Sequence, residues 1–225
     1  ASLTWSVLSA ATSGIATVSG SGASPSTFTY APAANSNGND SFVVQVSDGT
    51  LTDNITVNVN LTAINDAPVI TQGTGPLSVS MSEDGNPTAW VAPELNATDV
   101  DTASASLTWS VLSAATSGTA TVSGSGASPA AFTYVPNADY TGIDSFVVQV
   151  SDGTLADIMT VDVNVTAVGD APVITQGEGP LTVSMSEDGN PTAWVAPELN
   201  ATDVDTAPAS LTWSVLSAAT SGIAT

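Results

Sequence analysis

Apolar and polar residues alternate along most of this chain with a period of two. In LTWSVL (Leu107–Leu112), Leu107, Trp109 and Val111 alternate with Thr108 and Ser110. DSFVVQVSDG (Asp144–Gly153) puts Phe146, Val148 and Val150 on one face and then turns. TVDVNVTAV (Thr160–Val168) does the same with Val161, Val163 and Val165, and PLSVSM (Pro76–Met81) with Leu77, Val79 and Met81. Successive side chains of a strand point to opposite faces, so each run predicts a half-buried strand. Gly, Asp and Asn punctuate the runs at short intervals, as in β-sandwiches. No segment holds a helical period over ten residues, so an all-β fold is expected and parallel βαβ architecture is not.

The pattern also repeats on a longer scale. ASLTWSVLSAATSG begins at Ala1, Ala105 and Ala209, a period of 104 residues. Helical solenoid repeats are far shorter, whereas about 100 residues is one whole β-sandwich domain. AINDAPVI (Ala63–Ile70) and AVGDAPVI (Ala167–Ile174) follow valine-rich strands and carry a proline, and they read as linkers. The expected organisation is the later part of one repeat at 1–66, a complete repeat at 67–170, and the earlier part of the next at 171–225. Ala1 opens no signal peptide, and the cut points suggest a window from a longer repetitive chain.

Composition changes the picture sharply. There are 21 acidic residues, no Lys, Arg or His, and a formal charge of −21. Nucleic acid and anionic membranes require basic clusters and are excluded as partners. General-base histidine, nucleophilic cysteine and Schiff-base lysine are all missing, so most catalytic schemes are too. An apolar fraction of 42% with strand periodicity argues against disorder. No apolar run approaches the roughly 20 residues of a membrane helix.

NATDVDTA, at Asn96–Ala103 and again at Asn200–Ala207, sets Asp99 beside Asp101 and Asp203 beside Asp205. Two carboxylates about 4 Å apart repel by roughly 4 kcal/mol at an effective dielectric near 20. No basic side chain can relieve that. A divalent cation can, and calcium accepts mixed carboxylate, amide and backbone oxygens. The competing reading is that these aspartates are solvated turn residues. Asp48 and Asp152, in S-D-G turns, have a similar alternative as caps of their own backbone.

The linker NDAPVI (Asn65–Ile70), the SEDG turn (Ser82–Gly85), ATDVD (Ala97–Asp101) and FTYVPNADYTGIDSFVVQVSDG (Phe132–Gly153) together resemble the bacterial cadherin-like tandem repeats of giant secreted adhesins and surface fibres. The resemblance covers essentially the whole chain. It implies tandem Greek-key β-sandwiches, an extracellular or cell-surface location, and calcium at the joints between repeats. Carried over by position, the first joint would draw on Asn65 and Asp66 from the linker, Asp99, Asp101 and Asp152 from the following repeat, and Asp40 from the preceding one. The second would draw on Asp170, Asp203 and Asp205, with Glu83 and Asp144 from the preceding repeat. The linker is shorter than the cadherin Asp-x-Asn-Asp-Asn, and Gly169 stands where Asn65 stood, so one or two ions per joint are expected.

The functional reading is a calcium-stiffened structural module of a long adhesin or filament, whose partners are neighbouring repeats. A second reading is a glycan- or cell-binding module, using loops such as Gly124–Pro129 or an exposed Trp90 or Tyr140. A carboxylate-pair glycosidase or accessory domain ranks last. Trp109 and Trp213 are expected in cores, and Trp90 and Trp194 partly exposed. Because 171–225 lacks later strands and 1–66 lacks earlier ones, donor-strand assembly between copies is a further possibility.

Overall fold

The computed structural model describes residues 2–217 and 219–221. Residues 1, 218 and 222–225 lie outside the described set, and with them the ends of the expected first and third repeats. The fold is all β, with about 43% of residues in strands. The only helical turns among the described residues are two three-residue 3-10 segments, Ser104–Ser106 and Pro208–Ser210.

Residues 2–66 form five strands: β1 (Thr4–Ser9), β2 (Gly14–Ser21), β3 (Thr27–Pro32), β4 (Gly38–Ser47) and β5 (Thr52–Leu61). Their order is β3-β2-β1-β4-β5. The next stretch supplies β6 (Val69–Ile70), β7 (Leu77–Ser82) and β8 (Ala97–Thr98). It continues with β9 (Thr108–Ser113), β10 (Gly118–Ser125), β11 (Ala131–Pro136), β12 (Gly142–Ser151) and β13 (Ala156–Thr166). Here the order is β11-β10-β9-β12-β13-β7, with β7 parallel to β13 and the other pairs antiparallel. The remaining strands are β14 (Val173–Ile174) and β15 (Ala201–Thr202), which pair with each other.

A six-strand order does not mean one flat sheet. Along most of its length β10 pairs with β11, and only Gly124 and Ser125 reach β9. Gly124 makes that corner at φ +112°, and a Cβ there would lie 2.6 Å from the Cβ of Ala130. Glycine is what the corner requires. The β10–β11 layer therefore folds over β9-β12-β13-β7, and the chain returns through β12 to pair beside β9, a Greek-key path.

The alternating residues meet between these layers. Leu107, Trp109, Phe146, Val148, Val150, Val161, Val163 and Val165 are all buried. Phe132 and Tyr134 of β11 pack on Phe146 of β12, edge-on at 6.2 Å and stacked at 6.0 Å. The indole N–H of Trp109 donates to the Gly126 carbonyl at 2.9 Å, satisfying its one polar atom inside the core.

The two flanking segments carry the same letters with less structure. In residues 2–66 only Val18, Phe42 and Val44 form a buried apolar cluster. LTWSVL at Leu211–Leu216 is not a strand, and Trp213 is exposed, contrary to expectation. Its counterpart Trp109 sits on β9, which pairs with β12. Residues 171–217 contain no equivalent of β12, so period-two patterning has nothing to pair with.

Candidate metal joints

Asp99 and Asp203 shape the turns of the two NATDVDTA copies. Asp99 Oδ1 accepts the backbone N–H groups of Asp101 and Thr102, at 2.8 and 2.7 Å. Asp203 Oδ1 accepts those of Asp205 and Thr206, at 3.0 and 2.7 Å. This is local aspartate capping. It leaves the second carboxylate of each turn to meet the linker. Asp66 N–H donates to Asp101 Oδ2 at 2.8 Å, and Asp170 N–H donates to Asp205 Oδ2 at 2.6 Å. Both joints are thus pinned by one linker aspartate amide on one turn carboxylate.

At the first joint the following repeat adds Asp152. Its Oδ1 accepts from Thr154 N–H, Thr154 Oγ1 and Leu155 N–H, and its Oδ2 accepts from Asn65 Nδ2 at 2.6 Å. The Asn65 amide first, then the turn N–H groups, hold the Asp152 carboxyl well below its ordinary pKa. Asp48, in the equivalent turn of the first repeat, caps Thr50 and Leu51 in the same way. A cleft of about 420 Å³ lies beside the joint, lined by Asn35, Asn37, Asn60 and Ile64 of the preceding segment with Asp66 and Asp101.

At the second joint the preceding repeat supplies the acids. Glu83 Oε1 accepts Val168 N–H at 2.7 Å. Asp170 has a pKa raised above the usual carboxylate value, first by burial and then by the negative charges of Asp84, Asp205, Asp139 and Glu83. Four negative charges thus act on the Asp170 carboxyl, with no basic group among them. Asp84 and Asp139 were not anticipated from the sequence. The signal available was positional: Asp139 sits at φ +58° in a turn where Asn35 occupies the matching site at φ +59°.

Two further expectations are corrected. Asp40 and Asp144 are not at the joints as ligands; both are buried inside their own repeat. Asp144 accepts five hydrogen bonds, from Thr116 N–H, Thr116 Oγ1, Ser117 N–H, Tyr134 Oη and Ser145 N–H, at 2.8–3.1 Å. Asp40 accepts the corresponding five from Thr12, Ser13, Tyr30 and Ser41. Burial disfavours the Asp144 anion, but the Tyr134 hydroxyl and the Thr116 and Ser117 donors outweigh it and leave the pKa lowered. Asp40 is held down chiefly by Thr12 N–H. Burial and the neighbouring carboxylates push both tyrosine hydroxyls up. Neither carboxylate has a lone pair left wanting a cation.

The fit of a calcium ion rests on the oxygens that remain. Among the described residues, no three acidic side chains converge as a ready metal cage. Two buried carboxylate oxygens of the described residues, however, have no hydrogen-bond partner: Asp99 Oδ2 beside the first linker and Asp170 Oδ2 in the second. A buried polar atom without a partner costs about 1–3 kcal/mol, more if charged. The surrounding donors are carboxylate, amide and backbone oxygens, the set that calcium takes. The donor types present fit the ion in chemistry.

The aromatic candidates for a sugar platform are otherwise engaged. Trp90 packs on Phe132 and Tyr134 at ring separations of 5.8 Å, and its indole N–H donates to the Phe132 carbonyl. The Tyr140 hydroxyl donates to the Ile143 carbonyl at 2.8 Å.

Sandwich topology and the 104-residue period are consistent with cadherin-like, Ig-type repeats. Residues 65–168 match the bacterial cadherin-like domain family, and residues 1–60 match the bacterial Ig domain family. Among solved structures, the extracellular cadherin domains 1-5 of Protocadherin Gamma B2 align at 16% identity with a TM-score of 0.43. The alignment covers 75% of this chain and 34% of that one, so the chain spans about a third of its length. Human Protocadherin-24 EC1-2 aligns at 15% identity over 75% of this chain and 83% of that one, with a TM-score of 0.40. The endo-fucoidan hydrolase MfFcnA4, of glycoside hydrolase family 107, aligns at 22% identity over 74% and 24%, with a TM-score of 0.32. Among curated proteins no relative matches the sequence. Domains of the two matched families are usually extracellular or at the cell surface. No helix among the described residues is long and apolar enough to cross a membrane.

Proposed function

We propose that this chain is a structural repeat module of a long extracellular adhesin or filament, stiffened by calcium at its inter-repeat joints. In this reading 67–170 is one complete repeat, flanked by the later part of one at 1–66 and the earlier part of another at 171–225. The observation that carries it is the pair of unpartnered buried oxygens, Asp99 Oδ2 and Asp170 Oδ2, placed one at each joint. Bound calcium would supply the positive charge that no side chain here provides. Asp66 and Asp101 would hold the first joint, with Asp99, Asp152 and the Asn65 amide around them. Asp170, Asp203 and Asp205 would hold the second, with Glu83, Asp84 and Asp139 from the preceding repeat. Linking both sides of a joint through shared oxygens converts a short flexible linker into a fixed one.

The adhesive alternative, a glycan-binding platform, draws no support from Trp90 or Tyr140, whose polar atoms are used internally. The test is a thermal melt together with small-angle scattering of the 225-residue chain, in millimolar calcium and in chelator. An ion present at 1,000 times its Kd stabilises by about 4 kcal/mol. A large fall in melting temperature on chelation, with a bent or broadened scattering profile, is expected. An unchanged melt and profile would return these aspartates to solvated turns.

A further inference from the structure

The connection between β3 and β4 ends in Asn37-Gly38, the one Asn-Gly step in the sequence. A backbone nitrogen can attack the side-chain amide carbon of the asparagine before it, because both groups are held within one residue of each other. A Cβ on the attacking residue crowds that approach, and glycine has none. The other asparagines are worse placed. Asn86 and Asn190 precede prolines, which carry no N–H. Asn65 Nδ2 donates to Asp66 O, Asp152 Oδ2 and Thr154 Oγ1. The rest precede residues that bear a side chain. Aspartate before glycine, as at Asp48 and Asp152, presents an anionic carboxylate held by hydrogen bonds and is the poorer electrophile.

The fold leaves the Asn37-Gly38 step open. Both residues are exposed, and among the described residues nothing holds the Asn37 amide by a hydrogen bond. The preceding Ser36 is anchored, its hydroxyl donating to the Ser13 and Ala33 carbonyls. Gly38 sits at φ +88° with empty space where a Cβ would stand. The matching step in residues 67–170 is Thr141-Gly142. There the Tyr140 hydroxyl lies 3.3 Å from where a Cβ on Gly142 would be, and it donates to the Ile143 carbonyl. Ser36 stands in place of that tyrosine and uncovers the backbone. Thr141 is exposed as well, so the exposure of Asn37 belongs to the loop itself and not to what flanks residues 2–66.

We propose that Asn37 is a self-modifying site, converted from amide to acid without an enzyme. Gly38 N gives its proton to solvent and bonds to Asn37 Cγ. The bond from Cγ to the side-chain nitrogen breaks, and ammonia leaves with a proton from water. Water then opens the resulting succinimide at one of its two carbonyls. Breaking the bond between Cγ and Gly38 N gives aspartate at 37. Breaking the bond between the Asn37 main-chain carbonyl carbon and Gly38 N gives isoaspartate, which routes the backbone through Cβ and Cγ. Nothing is oxidised or reduced, and either product adds one negative charge to the −21 of the chain.

The new carboxylate falls beside the first joint. Asn37 lines the cleft that also contains Asp66 and Asp101. One period later the same loop carries Asp139, one of the charges acting on Asp170. The reaction therefore gives the first joint an acid of the kind the second already encodes. That consequence rests on the calcium reading; the modification itself does not.

The 225-residue chain is incubated for days at mildly alkaline pH, folded and in urea, then mapped by pepsin digestion and mass spectrometry, since trypsin has no Lys or Arg to cut at. The folded chain should release ammonia and become a mixture of aspartate and isoaspartate at 37, at a rate within severalfold of that in urea. Asn37→Thr, the residue found at 141, should abolish the reaction. Ser36→Tyr should slow it severalfold in the folded chain and leave the rate in urea unchanged. An amide that persists at 37 in the folded chain while reacting in urea would overturn the proposal, and so would earlier conversion at any other asparagine. Asn37→Asp should bind calcium severalfold more tightly than fresh parent, and equal affinities would overturn the consequence for the joint. Absence of calcium binding by both would sink the calcium reading and leave the modification standing.

Discussion

Replacing Asp144 with asparagine separates a structural carboxylate from a metal ligand. The carboxylate accepts five hydrogen bonds. The least costly amide orientation keeps the oxygen at the Oδ1 position, facing Thr116 and Ser145, and turns its NH₂ toward Ser117 N–H and Tyr134 Oη. The tyrosine hydroxyl can rotate to accept, but Ser117 N–H then faces another donor. One stranded buried donor costs about 1–3 kcal/mol. The retained bonds also fall from charge-assisted to neutral strength, and relief of the carboxylate's desolvation offsets part of this. The net is about 2–4 kcal/mol, or roughly 10–20 °C in melting for a domain of about 100 residues. The assay is a thermal melt of Asp144→Asn and parent, in calcium and in chelator. Both conditions should show the same loss, with the calcium increment unchanged. Acid titration adds a second check. The folded pKa lies below the ordinary 3.8, so this carboxylate's contribution is present above that value and fades as pH falls through and below it. Asp144→Asn should flatten that acid limb. If the variant melts like the parent but loses its calcium response, Asp144 is a ligand and the reasoning is refuted.

Three other outcomes follow from the same geometry. Asp170 is raised above 3.8, so in chelator its anion opposes folding: this carboxyl's own contribution to stability should be full below 3.8 and be lost as pH climbs through the folded value. Carbon NMR titration of its carboxyl should find the elevated midpoint in chelator and a depressed one in calcium; a midpoint at or below 3.8 in chelator would contradict this. Gly124→Ala should lower the melting of the complete repeat by roughly 2 kcal/mol or more, since it combines left-handed strain with a close approach; a neutral result would mean the β10 corner is not rigid. Asp99→Asn should remove most of the calcium-induced gain at the first joint while changing the chelator melt little, read by calorimetric titration beside Asp203→Asn.

The strands of residues 67–170 were legible because period-two patterning, β-branched residues and turn glycines all agree there. Leu107, Trp109, Phe146 and Val161 fall where alternation places them. The same letters at Leu211–Leu216 form no strand, since a strand is completed by hydrogen bonds to a neighbour that local sequence does not contain. The site was legible only in part. NATDVDTA announces its turn through Asp followed by backbone donors, and the linker aspartate is fixed by its place before Ala-Pro. Asp40 and Asp144 misled because an acid opening D-S-F reads alike whether it faces a joint or turns inward. The deciding partners are remote: Thr-Ser at 12–13 and 116–117, and a tyrosine ten residues upstream in each repeat, at Tyr30 and Tyr134. That combination recurs at the 104-residue period and is the signature of a buried acceptor.

An acid-only chain has two means of stabilising a carboxylate in a confined place, backbone and hydroxyl donors or an external cation, and its aspartates sort by which they use. Asp40 and Asp144 have five donors each and are buried without a counter-charge. Asp48 turns one oxygen onto its own loop and leaves the other to solvent. Asp152 spends one oxygen the same way and gives the other to Asn65, which ties the preceding linker to the repeat. Among the described residues, Asp99 and Asp170 are the ones whose second oxygen is enclosed and unmatched, and in the proposed organisation both sit where one repeat meets the next. Among the described residues, donor shortage therefore falls at the proposed joints and not in the cores. Withdrawing the cation should accordingly loosen the connections between repeats long before it unfolds the sandwich of residues 67–170, so that chelation changes scattering shape at temperatures where β9, β12 and β13 remain protected from hydrogen exchange.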